Sequence, residues 1–585
     1  MLAHQALRFL ALLVIATSFS ARAQNQCRVA ASAQHQYCGL PLELSNFQGH
    51  FECDKSVKIG RPSTIADAQS LVTMFNRVKG LGSGHSWWKE QFCAGKDSQS
   101  INLVMTEIKP TLDFIQKPID PKEFRNKPIP ADFPIKVNED ASTVTVAAGI
   151  PQRMLLNYLS EYRYWKEPAG WTLPAFSWFI DQTMAGAVST GTHGSSMRWG
   201  SLSSQVKGLK VIIANGTLLN VTPDEDIHLW RALGVSVGRL GVITELTMRI
   251  KPQQAVRRSL QELNFEEFAV QIKNVQEEFK TAKAAGNIDN QRRALAALDE
   301  TNALWHPALR DVWRVDFSYL DKEPLSVLLN IDQEDPLVQA MNGPSVSGVF
   351  SQANRQAVPP NNRITTNARF WANFYATSMR GFVTPGTYES RKSFLSFSDF
   401  GTRTTSAFAP YNQLEVSVPM EIAGDCLMEV GAEVYGPDSL WEGFRTPALI
   451  RFVNGEEFYI SNTHGGPRMY VNIEDYLSLS TGKPNEKWDR VVELFLSRCD
   501  ARLHWGKYGQ PQLDKCFDGA QTYPQSWCDF GCAVNQLDPS GKFSSESTVW
   551  RWKATRNGQA AEFASCCTPQ GFNKDQCQCA SSPAC

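Results

Sequence analysis

A short glycine-rich segment constrains this chain more than any other part of its sequence. Gly80, Gly82 and Gly84 fall within five positions and are followed at once by His85 and Ser86. Glycine permits a tight turn and lets backbone N–H groups approach a bulky anion, and the histidine adds a nucleophilic ring nitrogen. The segment has neither the ending of a P-loop nor the Gly-x-Gly-x-x-Gly of a Rossmann helix. It predicts a phosphate-binding turn of another kind, while a plain turn with a structural histidine is the alternative.

The size and charge of the chain narrow the class of protein. Its 585 residues exceed what one hydrophobic core normally supports, so at least two domains are expected. The formal net charge is -1 and 42% of the residues are hydrophobic. This near-neutral balance argues against nucleic acid or an anionic membrane surface as the main partner.

The N-terminus has the composition of a secretory signal peptide over residues 1–23. Arg8 precedes the apolar run Phe9–Ala16, and Ala21-Arg-Ala23 fits the small-x-small cleavage pattern. The apolar run is shorter than the roughly 20 residues that a membrane-spanning helix needs. We therefore expect a secreted protein without a membrane span.

The cysteines agree with an oxidising compartment, because all fourteen follow the expected cleavage site. Zinc binding is the competing interpretation, but no paired Cys-x-x-Cys with partner histidines is present, so disulfides are favoured. Their connectivity does not follow from the sequence. Two sequons, at Asn215 and Asn220, predict glycan sites on a surface turn. The cysteines lie at positions 27, 38, 53, 93, 426, 499, 516, 528, 532, 566, 567, 577, 579 and 585.

Short β-branched runs alternate with helical stretches along the chain, which predicts an α+β fold. An amphipathic helix is expected over Thr64–Phe75, capped by Ser63 or Thr64, and Asn215-Gly216 predicts a hairpin. A change in composition near residue 252 predicts a second α+β domain, in which segment 343–368 is a loop or lid candidate. The expected units are 1–23, 24–252, 253–499, 500–550 and a Cys-rich tail at 551–585.

Three further motifs contain residues suited to a flat, phosphorylated ligand. Segment 181–196 is built of glycine, alanine and hydroxyl residues, which favours close backbone approach and hydroxyl contacts; a packed turn is the alternative. Gly238-Arg-Leu-Gly241 leads into the strand that starts at Val242. His504-Trp-Gly-Lys507 follows the second domain, where a core histidine and a solvated lysine are the alternatives.

Taken together and in this order, the four motifs resemble those of the vanillyl-alcohol-oxidase-type flavoproteins with a bipartite (PCMH-type) FAD-binding domain. The likeness covers roughly residues 46–252 and 410–550. Within the family the chain is most similar to the sugar-lactone and alditol oxidases, and to the secreted plant-type L-gulono-1,4-lactone oxidases in its C-terminal third. The resemblance implies a two-subdomain FAD-binding domain, an α+β substrate (cap) domain and a small-molecule lactone or carbohydrate substrate oxidised with O2.

The resemblance also implies which residues hold the cofactor. His85 would carry FAD through a covalent bond, and the absence of cysteine between residues 94 and 425 implies that this is the single attachment. The glycine-rich turn, the second motif and the strand after Gly241 would line the pyrophosphate and the flavin. The implied FAD-binding residues are Gly82, Ser83, Gly84, His85, Ser86, Gly186, Ser189, Thr190, Gly191, Thr192, His193, Gly194, Val242 and Ile243.

The resemblance places Lys507 near the flavin and Arg451 on a strand of the substrate domain. Related sugar oxidases often have Glu-x-Arg on that strand, whereas here Leu449 occupies the position of the glutamate. The base that accepts the substrate proton is therefore open among His504, Glu415 and His464. Lys507, Arg451 and His504 are the predicted catalytic residues, and no metal is expected. The alternatives are an enzyme of the same fold that uses another carbohydrate or another electron acceptor, and a non-catalytic extracellular binding protein. The oligomeric state does not follow from the sequence.

Overall fold

The structure is a computed structural model of the chain. It describes residues 37–38, 46, 51–107, 133–161, 170–177, 179, 182–320, 367–389, 411–476, 485–507 and 517–584. In this part of the chain, helices and strands are mixed throughout, which confirms the predicted α+β class. No helix among these residues combines the length and apolar character needed to cross a membrane. The expected signal peptide lies outside the described residues, as does most of the 343–368 loop or lid candidate.

The first sheet carries the glycine-rich turn at the end of a strand. Three of its strands are parallel, in the order β2-β4-β3, and β1 is added antiparallel at the edge. The predicted amphipathic helix is present, and the Thr64 hydroxyl caps it by accepting a hydrogen bond from the N–H of Asp67. The elements are β1 (Tyr37–Cys38), β2 (Lys58–Gly60), β3 (Arg77–Leu81), β4 (Ser100–Val104), α1 (Ile65–Met74) and α2 (Lys89–Phe92).

The second sheet is antiparallel, in the order β5-β6-β10-β8-β9, and the pairing of β10 with β8 is interrupted by register shifts between Ile243 and Glu245 and between Thr247 and Met248. The predicted hairpin around Asn215-Gly216 joins β8 to β9, and Gly216 adopts φ +84° in the turn. The elements are β5 (Ile135–Asn138), β6 (Thr143–Ala147), β7 (Trp171–Thr172), β8 (Val206–Ile212), β9 (Leu218–Val221), β10 (Val242–Arg249), β11 (Lys251–Pro252), α3 (Gln152–Glu161), α4 (Met184–Ser189) and α5 (Ile227–Leu233).

A large antiparallel sheet follows, with the strand order β15-β12-β14-β13-β17-β18-β16-β19. Its helices cover one face: Val416, Ile450 and Val471 point into the same buried cluster as the apolar sides of α6, α9 and α10. The elements are β12 (Ala255–Asn264), β13 (Thr301–His306), β14 (Asp311–Leu320), β15 (Gly386–Glu389), β16 (Tyr411–Pro419), β17 (Ala448–Val453), β18 (Arg468–Tyr476), β19 (Arg502–Leu503), α6 (Phe265–Ala284), α7 (Ile288–Ala296), α8 (Ala368–Met379), α9 (Ala423–Val434) and α10 (Glu486–Arg498).

Because side chains alternate across a strand, the opposite face of the large sheet carries a different set of residues. Gln413 pairs with Glu474, Glu415 with Asn472 and Ser417 with Tyr470 across β16 and β18, and Leu449 and Arg451 continue these rows on β17. A row of polar side chains in the middle of a sheet is costly to bury unless its members are paired. This polar face of the large sheet is therefore a candidate for function.

The C-terminal part consists of short elements fastened by disulfides. Five bridges join described cysteines: Cys53–Cys93, Cys426–Cys499, Cys528–Cys579, Cys532–Cys567 and Cys566–Cys577. They confirm the disulfide prediction over zinc. The elements are α11 (Gly519–Thr522), α12 (Trp527–Leu537), β20 (Lys553–Arg556), β21 (Gln559–Ala561), β22 (Cys567–Thr568), β23 (Gly571–Phe572) and β24 (Gln578–Ala580).

A row of stacked aromatic rings runs from the glycine-rich segment into this C-terminal part. Trp88 stacks on Trp505 at 6.0 Å between ring centroids, Trp505 on Trp550 at 5.7 Å, Trp550 on Trp527 at 6.1 Å and Trp527 on Trp552 at 5.4 Å. The angles between successive ring planes lie between 13° and 27°. We call these five residues the tryptophan stack.

Candidate active site

The glycine-rich turn leaves β3 and packs directly against the second motif. A Cβ atom on Gly82 would lie 1.8 Å from the Thr183 hydroxyl oxygen, so only glycine fits there. Gly84 has φ +79°, a conformation that favours glycine. His85 is half-buried and its ring centroid lies 6.0 Å from that of Phe179. The turn therefore presents the histidine at its rim and its backbone to the second motif.

The second motif consists of α4 and the turn that follows it. The hydroxyls of Ser189 and Thr190 donate to the carbonyl of Gly186 at 3.2 and 3.0 Å, which ends the helix. Gly191 then takes φ +71°. At Gly194 an added Cβ would lie 2.3 Å from the carbonyl oxygen of Phe176. Glycine is thus required at position 194 because backbone lies against backbone there, and it is favoured at position 191 by the positive φ.

The His504–Lys507 motif joins both of these segments. The N–H of Trp87 donates to the carbonyl of Gly506 at 3.2 Å, and Nε2 of His504 lies 3.2 Å from the carbonyl oxygen of Gly191. A Cβ on Gly506 would lie 3.4 Å from the Thr190 hydroxyl. Three motifs that are about 100 and 300 residues apart in the sequence therefore meet at one place.

The hydrogen bonds of His504 define its tautomer. The N–H of Gly506 donates to Nδ1 at 3.0 Å, so the ring proton is on Nε2 and is donated to Gly191. Burial lowers the pKa of His504 to about 3, which keeps the ring neutral. Both ring nitrogens are occupied by backbone, an arrangement that does not favour His504 as a proton acceptor. It also leaves no lone pair for a cation, although His193, Glu415 and His504 place potential ligand atoms within 4.8 Å of one another.

A buried ion pair lies where the second motif meets the large sheet. Arg451 donates one N–H to the carbonyl of His193 at 2.9 Å and another to the carboxylate of Glu415. Nε2 of His193 lies 3.3 Å from the same carboxylate oxygen. Burial opposes ionisation of Glu415, but Arg451 and His193 outweigh it and hold the pKa of that carboxyl well below its usual range. The second carboxylate oxygen of Glu415 has no partner among the described residues.

The carboxylate of Glu415 lies in the same row of the large sheet as Leu449, the position at which the family resemblance implies a glutamate. Leu449 pairs with Asn472 on β18, and Asn472 pairs with Glu415 on β16, so all three lie in one row on the polar face. Glu415 is 1% exposed and Arg451 is 6% exposed. The sequence pattern Glu-x-Arg is thus replaced by a Glu and an Arg that come from two strands and meet through their side chains.

Lys507 lies at the opposite end of the polar face. Its Nζ donates to the side-chain oxygen of Gln413 at 2.5 Å and lies 5.2 Å from the ring centroid of Phe179. The ring of Phe179 in turn lies beside that of His85. Burial lowers the pKa of Lys507 to about 8, with Glu415 and Glu474 acting against that shift and Arg451 adding to it. The lysine therefore connects the polar face to the glycine-rich turn.

The remaining predicted residues lie apart from this cluster or at its edge. His464 lines a separate surface cavity of about 680 Å³ with Arg231, Asp529 and Lys574, beside the C-terminal part. Val242 and Ile243 lie at the start of β10, where they pair with β8, whereas pairing with β6 begins at Glu245. Their contribution to cofactor binding stays a prediction.

Sequence reasoning did not identify several residues of the site, among them Gln413, Glu474 and Phe179. It also missed a buried cluster under the glycine-rich turn. There, Nζ of Lys79 lies 3.3 Å from the carbonyl of Gly238, and Arg239 is paired with Asp538. One pattern could have revealed the polar face, because polar and apolar residues alternate strictly in Gln413–Val418 and in Arg468–Glu474.

The residues present fit FAD. The first two motifs form a turn and a helix end that are rich in glycine backbone, and at Gly82 and Gly194 the Cβ position is already filled by neighbouring atoms. Such glycine-lined backbone is suited to a pyrophosphate. The half-buried His85, the partly exposed Lys507 and the unpartnered oxygen of Glu415 supply polar groups around it.

Comparisons with known proteins agree with this site. Residues 134–222 match the sequence model of the FAD binding domain family, and residues 374–551 match that of the D-arabinono-1,4-lactone oxidase family. The first match spans the second motif, and the second spans the polar face and the His504–Lys507 motif.

Similar proteins extend the likeness over most of the chain. The L-gulono-1,4-lactone dehydrogenase of Mycobacterium tuberculosis is 24% identical over 518 residues, which cover 86% of this chain and 97% of that protein. The L-gulonolactone oxidase of Bos taurus is 21% identical over 417 residues, 70% of this chain and 81% of that protein. A solvent-stable cholesterol oxidase shares the fold, with a TM-score of 0.56 at 15% identity, covering 86% of this chain and 96% of that one. With the FAD-compatible geometry of the three motifs, these matches show that the chain is an enzyme of the FAD-dependent, PCMH-type sugar-lactone oxidoreductase family.

Proposed function

We propose that this protein is a secreted oxidase that binds FAD covalently through His85 and oxidises an aldonolactone, with L-gulono-1,4-lactone as the best candidate, ascorbate as product and O2 as electron acceptor. One observation carries the proposal. The glycine-rich turn, the second motif and the His504–Lys507 motif meet at the polar face of the large sheet, where Arg451, Glu415 and Lys507 are gathered. The signal-like N-terminus, the disulfides and the two sequons support secretion.

Binding of the cofactor is assigned to the first two motifs. Backbone N–H groups around Gly82–Ser86 and at His193 and Gly194 would hold the pyrophosphate, since those of Gly191 and Thr192 donate to Val188 and Ala187, and His85 at the rim of the turn would form the covalent bond. Bound FAD supplies the acceptor for the hydride that leaves the substrate carbon. The protein's part is to fix the substrate, hold its charges and remove its proton.

Removal of the substrate proton is assigned to Glu415. The carboxylate is ionised because of Arg451 and His193, and its second oxygen has no partner among the described residues. It occupies the same row as Leu449, where related sugar oxidases have their glutamate. Arg451 and Lys507 would stabilise negative charge that develops on the substrate oxygens.

The decisive experiment is a panel of aldonolactones, alditols and aldoses given to the purified protein, with release of hydrogen peroxide as the readout. Activity confined to aldonolactones is expected, with the gulono-lactone preferred. Activity only on alditols or aldoses would refute the substrate class, and colourless, inactive protein would instead support an extracellular binding protein.

The attachment site has its own test. The wild-type protein should stay yellow after acid precipitation, because covalent flavin does not dissociate on unfolding. The His85→Ala variant should release its flavin under the same treatment, with His464→Ala as the matched control that keeps it. Flavin retained by the His85 variant would show that the attachment lies elsewhere.

A second candidate function keeps the substrate and changes the electron acceptor. It is favoured by the relative from Mycobacterium tuberculosis, which is named a dehydrogenase. In that case lactone oxidation would reduce an added dye rapidly and produce little peroxide in air, whereas the oxidase should produce peroxide in proportion to the lactone consumed.

A further inference from the structure

Two residues beside Lys507 hold its side chain in one orientation. Gln413 on β16 and Glu474 on β18 are directly paired across the sheet and point to its polar face. The side-chain oxygen of Gln413 accepts from Lys507 at 2.5 Å, and its NH2 group donates to the carboxylate of Glu474. The three residues thus form a chain from the carboxylate through the amide to the ammonium group.

The orientation of the Gln413 amide is determined by its neighbours. Its NH2 group lies against two acceptors, the carboxylate of Glu474 and the side-chain oxygen of Asn472 at 3.4 Å. A reversed amide would place its own oxygen against those two oxygens and its NH2 group against the ammonium of Lys507. Only the observed orientation gives each donor an acceptor.

Other ionisable groups lie around Lys507 besides Gln413 and Glu474. Arg451 and Glu415 influence it from β17 and β16, and His504 lies three residues before it on the same motif. From the other side it faces the ring of Phe179 at 5.2 Å. Burial lowers its pKa to about 8, so its charge at neutral pH depends on the anions nearby. Burial raises the pKa of Glu474, while Lys507 and Gln413 counteract that change.

We propose that Gln413 and Glu474 are positioning residues for Lys507: Gln413 fixes where the ammonium group points, and the carboxylate of Glu474, acting through Gln413, keeps it charged. The inference deepens the proposed function and rests on it for the role of Lys507 in catalysis. When Glu474 is ionised, the amide must present its oxygen to Lys507. When Glu474 is protonated, the amide can reverse and accept from Glu474 through its oxygen, so that Lys507 loses its acceptor together with the nearby negative charge.

The test measures the charge of Lys507 directly rather than through activity. The purified holoenzyme is acylated with a trace of acetic anhydride at a series of pH values, and mass spectrometry of the peptide that contains Lys507 gives its pKa. Glu474→Gln and Gln413→Met keep the size of the side chains. Each should lower the pKa of Lys507 by about one unit relative to the wild type.

The matched control is Asp425→Asn in the helical layer. Gln276 donates to Asp425 at 2.6 Å and uses its oxygen for the N–H of Gly424, so the same kind of carboxylate–amide contact is lost far from the polar face. This variant should leave the pKa of Lys507 unchanged. An unchanged pKa in Glu474→Gln and Gln413→Met as well would overturn the inference.

The pH profile of lactone oxidation separates this inference from the proposed function. In both variants the alkaline fall in kcat/KM should move to lower pH with the labelled pKa. A shifted pKa of Lys507 without any lactone oxidation would support the inference on Gln413 and Glu474 and refute the proposed substrate. Lactone oxidation with an unshifted pKa of Lys507 would support the substrate and overturn the inference.

Discussion

Two cations lie at the polar face, Arg451 and Lys507, and nearby carboxylates favour their charged forms. Arg451 is buried against Glu415, while Lys507 is partly exposed and has a pKa lowered to about 8. These two cations therefore respond differently to pH. Arginine stays charged at every pH used in an assay, so of these two cations only Lys507 can cause an alkaline loss of activity.

Substitutions of Lys507 should change the pH profile in a defined way. Because the ammonium is charged below pH 8 and loses its proton above it, kcat/KM for the lactone should fall above about pH 8. Lys507→Met should lower kcat by about 100-fold below pH 8, the typical effect of losing one group that stabilises developing charge, and the difference from the wild type should narrow above pH 8. Lys507→Arg should retain part of the activity and lose the alkaline fall. A fall that persists in the arginine variant would assign it to another group.

Glu415→Gln should affect both activity and stability. The substitution leaves Arg451 buried without its counter-charge, which typically costs about 3–5 kcal/mol, and it removes the proposed proton acceptor. Denaturant unfolding and lactone turnover measure the two effects. Glu457→Gln is the matched control, because its partner Arg231 is exposed and such pairs contribute about 1 kcal/mol or less. Full activity in Glu415→Gln would exclude it as the proton acceptor.

The residue that replaces the missing glutamate shows what sequence could and could not predict. Arg451 and Leu449 lie on a strand, as the family resemblance implies, and this strand is an apolar run interrupted only by Arg451. Glu415 was one of three candidates, since nothing local indicates that β16 and β17 are separated only by β18. That order is created by long-range pairing, which a single sequence does not encode as a pattern.

Among the elements, the contact between the glycine-rich turn and α4 determines whether the cofactor site can form. The two segments touch where Gly82 meets Thr183, the residue before α4. Sequence motifs predicted both segments well, because glycine and hydroxyl residues mark them locally. Their mutual contact could not be predicted, since about 100 residues separate them.

Gly82→Ala should separate the turn from α4. The new methyl group would lie 1.8 Å from the Thr183 hydroxyl oxygen and 2.8 Å from the Thr183 Cβ atom, so rotation of the Thr183 side chain cannot relieve the overlap. We expect loss of bound flavin, measured as the ratio of flavin to protein absorbance. Thr183→Gly alone should keep its flavin, because the Thr183 side chain makes no capping hydrogen bond. The double variant Gly82→Ala/Thr183→Gly should regain flavin, and failure to do so would place the cause elsewhere.

At the level of the whole molecule, the C-terminal part is joined to the site rather than appended to it. Trp505 belongs to the His504–Lys507 motif, and the tryptophan stack continues from it to Trp527 on α12. Cys528 and Cys532 follow on the same helix and are bridged to the tail. The sequence indicated a disulfide-rich tail but not its connection to the site, because the tryptophans are spread over more than 400 positions.

Removing one disulfide of the tail should therefore also weaken substrate binding at the active site. Cys528→Ser/Cys579→Ser opens a bridge between residues 51 positions apart and should cost about 2–5 kcal/mol of stability. We also expect a higher KM for the lactone, measured by steady-state kinetics. Cys426→Ser/Cys499→Ser, which opens a bridge over 73 positions in the helical layer, is the matched control. It should lower stability comparably and leave KM unchanged; equal effects on KM would contradict the connection.

The tryptophan stack has an optical consequence. Indole rings 5.4–6.1 Å apart and nearly parallel couple their excited states, so they absorb and emit as a group. Such coupling produces strong near-ultraviolet circular dichroism, which vanishes when the rings move apart. Because the stack begins beside the glycine-rich turn and ends in the tail, that signal reports on the assembly of both ends at once. The near-ultraviolet circular dichroism of the protein therefore reports whether Trp527, Trp550 and Trp552 are packed against the His504–Lys507 motif.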